Sequence, residues 1–237
     1  MDLAGDMTSK INVVPAARTI QMKRPTLAQK VVDQLRREIA QGVHAAGKML
    51  AEPTLAAAMG VSRAPVREAL LELERDGLVA FDERGRTRVC DMTAEDFEDL
   101  FVLRLALEPA AMAHAAKVFT DEHARRLEAN IRATAGAKSL ADLSLLDVEF
   151  HGLIMEVSGR PRLNSAWRSI RPQLELWLAS LHRKHQRLTG KVREITVASH
   201  TELLEALRSG KAESARRLMH RHVQGWYEWL PTMGRKK

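Results

Sequence analysis

The most informative segment of the chain reads Gly60-Val61-Ser62-Arg63-Ala64-Pro65-Val66-Arg67-Glu68-Ala69-Leu70. It follows a short alanine-rich helix predicted over residues 55–59, and Gly60 allows the tight turn between that helix and the next. Ser62 is a favourable N-cap, and Pro65 falls in the first turn of the second helix, where a missing N–H costs nothing. This order of signals predicts a helix-turn-helix corner.

The second helix of this corner has an apolar face and a basic face. Four apolar residues recur at helical spacing and are expected to face a core: Val66, Ala69, Leu70 and Leu73. Arg63 and Arg67 are four residues apart, so both project from the opposite side. Near a helix N-terminus, two guanidinium groups can read guanine edges in the major groove or bind phosphates. The spacing does not choose between these roles, and a solvated basic face is the alternative to DNA binding.

A β-hairpin is predicted directly after the corner. Residues 78–81 and 87–90 alternate like strands around a turn at residues 82–85. Three arginines crowd this hairpin, and its tip is expected either to reach a DNA groove or backbone or to be a solvated charged turn: Arg84, Arg86 and Arg88. An amphipathic helix precedes the corner, with the apolar stripe Leu27, Val31, Leu35 and Ile39. Together these elements predict a winged helix over residues 25–91.

Length and composition set the outer bounds of the fold. With 237 residues and 45% apolar content, the chain suits two modest domains with real cores. Its single cysteine, Cys90, excludes an internal disulfide. No apolar run approaches the roughly 20 residues of a membrane span, and no signal-peptide core is present. We therefore expect a soluble, cytoplasmic protein without a membrane partner.

The net charge of +7 is not concentrated in the predicted winged helix. Residues 1–91 contain 14 Lys and Arg against 12 Asp and Glu, so most of the excess lies further along the chain. Residues 159–193 are strongly basic, and there a solvated helix face is favoured over contact with flanking DNA or an anionic ligand. Net charge is therefore weak support for DNA binding.

The rest of the chain is predicted to be helical, which makes the fold class mainly α. Residues 1–24 lack periodicity and are interpreted as a flexible N-terminal extension, and residues 233–237 as a basic tail. Residues 92–232 show no convincing strand alternation and are interpreted as one all-helical domain. The breaks between its helices are expected near Thr120, Gly136, Gly159, Gly190 and Gly210.

Polar residues on apolar helix faces indicate a metal site in the second domain. Asp147 and His151 are four residues apart on one face of a predicted helix, and His200 and His222 lie on apolar faces of two others. Buried without partners, such groups would each cost about 1–3 kcal/mol or more, so they are expected to satisfy one another or a shared divalent ion. A single histidine of this kind is more often a hydrogen-bonded core residue. The remaining histidines show no comparable pairing and are interpreted as surface or packing residues: His44, His114, His123, His182, His185 and His220.

The first domain resembles the GntR-type bacterial transcription regulators. The resemblance is carried by residues 35–39, 50–55, 60–63, 65–70, 73–74 and 77–79, with Gly85 and Val89. It implies that Arg63 and Arg67 contact operator bases and phosphates, and that Gly85 lies at the tip of the wing. The predicted DNA contacts are Ser62, Arg63, Ala64, Pro65, Arg67, Gly85 and Arg86. One departure is Pro53, which replaces an arginine that commonly contacts DNA in the family.

The second domain resembles the FCD effector-binding domain of the FadR subfamily. The resemblance is carried by Arg104, residues 107–111, 147–151, 200–204 and 219–222, and Ala206. It implies that Asp147, His151, His200 and His222 bind a divalent metal ion, most often zinc or nickel, which helps to hold a small carboxylate effector. Arg104 is expected to meet the effector carboxylate or to form an internal ion pair with Glu108.

These expectations define a homodimeric regulator, expected to be a repressor, that binds a palindromic operator in double-stranded DNA and responds to a small carboxylate. A regulator whose metal is purely structural, or which senses the metal itself, is the alternative. A metal-dependent enzyme is a third class. It is disfavoured because Glu149, the acid nearest the metal motif in sequence, points away from the Asp147 and His151 face.

Overall fold

The computed structural model describes residues 25–227, a mainly helical fold with a small antiparallel sheet, as the sequence predicted. The elements are α1 (Leu27–Gln41), β1 (Met49–Leu50), α2 (Glu52–Met59), α3 (Arg63–Arg75), β2 (Val79–Phe81), β3 (Thr87–Val89), α4 (Ala94–Lys117), α5 (Asp121–Ala135), α6 (Leu140–Val157), α7 (Pro161–Thr189), α8 (Val192–Arg208) and α9 (Ala212–Tyr227). The predictions for residues 1–24 and 233–237 lie outside the described residues.

Helices α1, α2 and α3 pack around the core of the winged helix. The apolar face predicted for α3 is buried there, and Gly60 makes the turn before it with φ 64°, a left-handed conformation that favours glycine. Two local details differ from the prediction. Ser62 occupies the N-cap position of α3, but its side chain makes no capping hydrogen bond. Helix α2 begins at Glu52 instead of residue 55, because Pro53 is well tolerated in a first helical turn.

The wing is a three-stranded sheet with strand order β1-β3-β2. Strands β2 and β3 form the predicted hairpin, in which Phe81 lies opposite Thr87, although each strand is one residue shorter than predicted. Strand β1 was not predicted; its Met49 lies opposite Arg88 of β3. Two residues are too few to show an alternating pattern, so only the pairing with β3 defines this strand.

Helices α4–α9 form the second domain, and they are separated at the five predicted breaks. Helix α4 packs along α9 and α6 packs along α7, so the inner faces of α4 and α6–α9 meet in the middle of the bundle. The apolar side chains around this middle form two clusters of buried residues. Among residues 25–227, no helix is both long and apolar enough to span a lipid bilayer.

Helix α7 also contacts the winged helix. The Arg183 guanidinium donates a hydrogen bond of 2.7 Å to the carbonyl oxygen of Ala40 at the end of α1. The Gln173 amide donates one of 3.2 Å to the carbonyl oxygen of Asp76 after α3. Between these two points, Leu176 packs against the core of the winged helix. One face of α7 therefore supports the winged helix, while another closes the helical bundle.

Candidate DNA-contact surface and metal centre

The predicted DNA contacts on α3 form one exposed surface. Arg63 and Arg67 both project into solvent from the first turns of the helix, where unbonded backbone N–H groups also favour anions. A 3.3 Å ion pair joins Arg63 to Glu52, but the Arg63 side chain remains 69% exposed. Such an exposed pair contributes little, so the guanidinium is available to a phosphate or a base. The other predicted contacts here are exposed or partly exposed: Ser62, Ala64 and Pro65.

The tip of the wing is organised by Asp82. Its carboxylate accepts hydrogen bonds from the backbone N–H groups of Arg84 and Arg86, at 3.0 and 2.9 Å, and from the Arg86 guanidinium at 2.8 Å. These bonds, first that from the Arg86 backbone, lower the pKa of Asp82. Gly85 completes the turn with φ 70°. The tip is thus ordered before any contact with DNA, and the charge of Arg86 is partly matched by Asp82.

The four predicted metal ligands come together in the second domain. The ligand atoms of His151, His200 and His222, from α6, α8 and α9, all lie within 4.8 Å of one another. The Nε2 atoms of His151 and His222 are 3.2 Å apart. The Asp147 carboxylate lies 3.7 Å from Nε2 of His151 and 3.9 Å from Nε2 of His200. Two ligand atoms bound to one ion at about 2.1 Å are at most about 4.2 Å apart, and the separations of 3.2, 3.7 and 3.9 Å meet this limit.

Orphaned polar atoms at the centre also fit a metal ion. Both oxygens of Asp147 and both ring nitrogens of His200 are buried with no hydrogen-bond partner among the described residues. Burial lowers the pKa of His200 to about 3 and that of His222 well below its ordinary value, so both imidazoles are neutral at pH 7. Burial alone would raise the pKa of Asp147, but the surrounding imidazoles, first that of His182, keep the carboxylate ionised. Neutral imidazoles and one carboxylate suit zinc or nickel.

Glu108 orients one of these ligands from behind. Its carboxylate lies 2.8 Å from Nδ1 of His151, on the side of the ring opposite Nε2, which faces the centre. Glu108 also accepts hydrogen bonds from Nε of Arg104 at 2.6 Å and from the Trp167 indole at 3.3 Å. Burial would raise the pKa of Glu108, but Arg104 and His151 bring it below its usual range.

Arg104 therefore forms the internal ion pair that was one of its two predicted roles. Both partners of the pair are only 1% exposed. The guanidinium lies 3.4 Å from Nε2 of His151, and its Nη1 atom is buried with no hydrogen-bond partner among residues 25–227. The ion pair thus leaves one donor beside the metal centre.

His182, which was predicted to be a surface or packing residue, lies beside Asp147 at the centre. It is fully buried on α7, with Nε2 3.5 Å from Asp147 and Nδ1 2.8 Å from the Ser144 hydroxyl. His185, one turn later, is also buried and packs edge-on against Trp226. The available signal was helical spacing, because His182 follows Leu178 by four residues on the buried face of α7. The many basic residues of α7 made the helix look solvent-exposed, so this spacing was not used.

Two further features bear on what the centre does. Glu149 is exposed, as its helical angle predicted, so it lies away from the buried Asp147 and His151 face. A cavity of about 430 Å³ lies between the two domains, lined by residues of α1, the linker before α4, and α7. None of the four predicted ligands lines this cavity. The metal centre and the interdomain cavity are therefore separate places.

Comparisons with known proteins agree with this architecture. The family described as "Bacterial regulatory proteins, gntR family" matches residues 27–89, and the FCD domain matches residues 99–225. The chain is 27% identical to the HTH-type transcriptional repressor RspR of Escherichia coli K12, with 83% of this chain and 85% of RspR covered. It is also 27% identical to a probable D-xylose utilization operon transcriptional repressor of Paenarthrobacter nicotinovorans, with 89% and 91% covered.

A solved structure shows the same fold. The putative transcriptional regulator GntR from Rhodococcus sp. RHA1 superposes with a TM-score of 0.68 at 26% identity, and the match covers 87% of this chain and 99% of the other. The two family matches cover the winged helix and the helical bundle in turn. The chain therefore belongs to the GntR family of bacterial transcriptional regulators and has the FadR-like architecture, a GntR-type DNA-binding domain followed by an FCD domain.

Proposed function

We propose that this protein is a transcriptional repressor that binds a palindromic operator as a homodimer. The observation that carries the proposal is the exposed pair Arg63 and Arg67 at the start of α3, beside a preorganised wing. A helix N-terminus of this kind enters the major groove in helix-turn-helix proteins, and a twofold dimer reads two half-sites. Two relatives that align over most of this chain are named as repressors, which supports repression.

The operator affinity is proposed to depend on a small carboxylate held beside a divalent metal ion. Asp147, His151, His200 and His222 would hold the ion, and the orphaned atoms of Asp147 and His200 support this assignment. The ion would supply a positively charged anchor for the carboxylate. The unbonded Nη1 of Arg104 supports a second contact to the same group. His222 is partly exposed, so the ligand is expected to enter on its side.

The effector would act by binding one arrangement of the two winged helices better than the other. A coupling free energy of about 1–3 kcal/mol changes operator affinity roughly 5- to 150-fold. We expect the effector to lower operator affinity, so that the protein releases DNA when the effector binds.

DNA binding is tested by replacing Arg63 and Arg67 singly with alanine. The probe is the duplex enriched by the full-length protein from a random-sequence pool, measured by fluorescence anisotropy at fixed salt. Loss of a bidentate base contact is expected to weaken binding by about 1–3 kcal/mol, and loss of a phosphate contact weakens all sequences alike. Arg75→Ala is the matched control, because Arg75 is equally exposed at the other end of α3. Unchanged binding by both test variants would exclude α3 as the reading helix.

The burial of the centre favours a second candidate, a regulator whose metal is structural or is itself the signal. Asp147 and His151 are 1% exposed, and Arg104 already has Glu108 as its partner. Titrating the operator complex with small carboxylates, with and without a chelator, separates the candidates. An anchored effector acts only with metal present, a sensed metal acts alone, and a structural metal changes stability without changing the DNA response. His200→Ala should lower the metal content of purified protein in all three cases.

A further inference from the structure

Helix α7 carries neighbouring residues that contact different parts of the molecule. His182 points into the metal centre, where it is fully buried. Arg183, the next residue, holds the carbonyl oxygen of Ala40 at the end of α1. The same short stretch of backbone thus joins the predicted metal ligand Asp147 to the DNA-binding unit.

The hydrogen bonds around Ser144 determine how the His182 ring is held. The Ser144 hydroxyl has one hydrogen, and it donates that hydrogen to the carbonyl oxygen of Leu140 at 2.7 Å. The same hydroxyl lies 2.8 Å from Nδ1 of His182, so it holds one edge of the ring. Ser144 therefore fixes the ring so that Nε2 is directed at the Asp147 carboxylate.

Nε2 of His182 faces the Asp147 carboxylate inside the helical domain. The two atoms are 3.5 Å apart in a fully buried place. A buried carboxylate is stabilised by a hydrogen-bond donor or by a cation, and an N–H of the His182 ring or an ion bound between the two groups would supply one of these. Either one ties the orientation of Asp147 to the position of α7. One carboxylate oxygen then faces His182, while the other lies 3.7 Å from His151.

On another face, α7 packs against the winged helix. The Arg183 and Gln173 hydrogen bonds each end on a backbone carbonyl of the DNA-binding unit. Leu176 fills the space between them against the winged-helix core. A displacement of α7 therefore displaces the winged helix.

We propose that His182 is a positioning residue that holds Asp147 toward the metal site and, through α7, transmits metal occupancy to the winged helix. This inference rests on the proposed function, since it requires both a metal ion and an operator. It adds a residue to the site and a route by which the site acts on DNA. This route begins at the contact between Asp147 and His182 and ends at the hydrogen bond from Arg183 to Ala40.

The test compares His182→Leu with His182→Gln in the full-length protein. Leucine fills the space without a hydrogen bond, whereas glutamine places an amide N–H near the position of Nε2. Zinc affinity is measured by competition with a chromophoric chelator, and operator affinity is measured on the enriched duplex with and without saturating zinc. For His182→Leu we expect 10- to 100-fold weaker zinc binding, the usual effect of losing a residue that orients a ligand. We also expect a smaller zinc-dependent change in operator affinity at saturation. His182→Gln should recover part of both.

Two other variants make the test specific. His185→Leu is the matched control, a buried histidine on the same helix, and it should leave zinc affinity within a factor of two of wild type. Arg183→Ala should keep the zinc affinity but reduce the operator response, because it removes only the contact with the winged helix. This second variant keeps the proposal testable even if His182→Leu does not fold.

The outcomes separate this inference from the proposed function. If wild-type protein binds zinc and His182→Leu has the same zinc affinity and the same operator response, the role of His182 alone is overturned. A full zinc response in Arg183→Ala would overturn transmission through α7. A wild-type protein that binds no zinc, or whose DNA affinity ignores zinc, would remove the basis of both.

Discussion

Replacing Glu108 with glutamine tests the buried network behind the proposed metal centre. Glu108 and Arg104 are each 1% exposed, and the carboxylate also holds His151 and the Trp167 indole. Glutamine has nearly the same shape but no charge, so the Arg104 guanidinium would be left buried without its counter-ion. Removing one partner of a buried ion pair costs about 3–5 kcal/mol. We expect a loss of this size in the free energy of unfolding of the metal-free protein, measured by urea denaturation at pH 7.

The double variant Arg104→Met with Glu108→Leu is the matched comparison. It removes both charges and fills the same volume with apolar atoms, so it should be clearly more stable than Glu108→Gln. Glu213→Gln on the surface removes an exposed partner of Arg216 and should change stability far less. If Glu108→Gln cost less than about 1 kcal/mol, the Arg104 charge would not depend on Glu108, and the network described above would be wrong.

Three further predictions follow from single residues. Gly77→Ala should lower the free energy of unfolding by roughly 1 kcal/mol or more, because Gly77 has φ 71° and an added Cβ would lie 2.4 Å from the Gln173 amide. The midpoint of urea denaturation measures this loss, and an unchanged midpoint would contradict the prediction. Burial lowers the pKa of His200 from 6.5 to about 3, so the unfolded chain binds a proton that the folded chain does not, and metal-free protein should lose stability as pH falls from 6.5 toward 3. His200→Gln should flatten that pH profile, and a profile identical to wild type would assign the effect to other groups. Arg63→Ala should reduce the slope of log affinity against log salt by about 1 if the side chain binds a phosphate, and leave the slope unchanged if it reads only a base.

Much of the fold was predictable because its signals are local. The turn at Gly60, the apolar stripe of α3 and the five helix breaks each depend on residues within a few positions of one another, and the structure confirms them. The metal ligands were predicted partly from spacing and partly from the resemblance to the FCD domain, and the structure brings the four side chains together. Strand β1 was missed because a two-residue strand exists only through its partner.

Helical periodicity puts residues four apart on the same side, so the order of amino acids specifies which helix faces are apolar, basic or polar. Which of those faces meet depends on how the helices pack. Asp147 and His182 are far apart in sequence on α6 and α7, and only the packing of these helices brings them to 3.5 Å. The same packing turns Arg183 toward Ala40 and so connects the two domains. No local pattern encodes such contacts, because they depend on how separate helices fill a shared core.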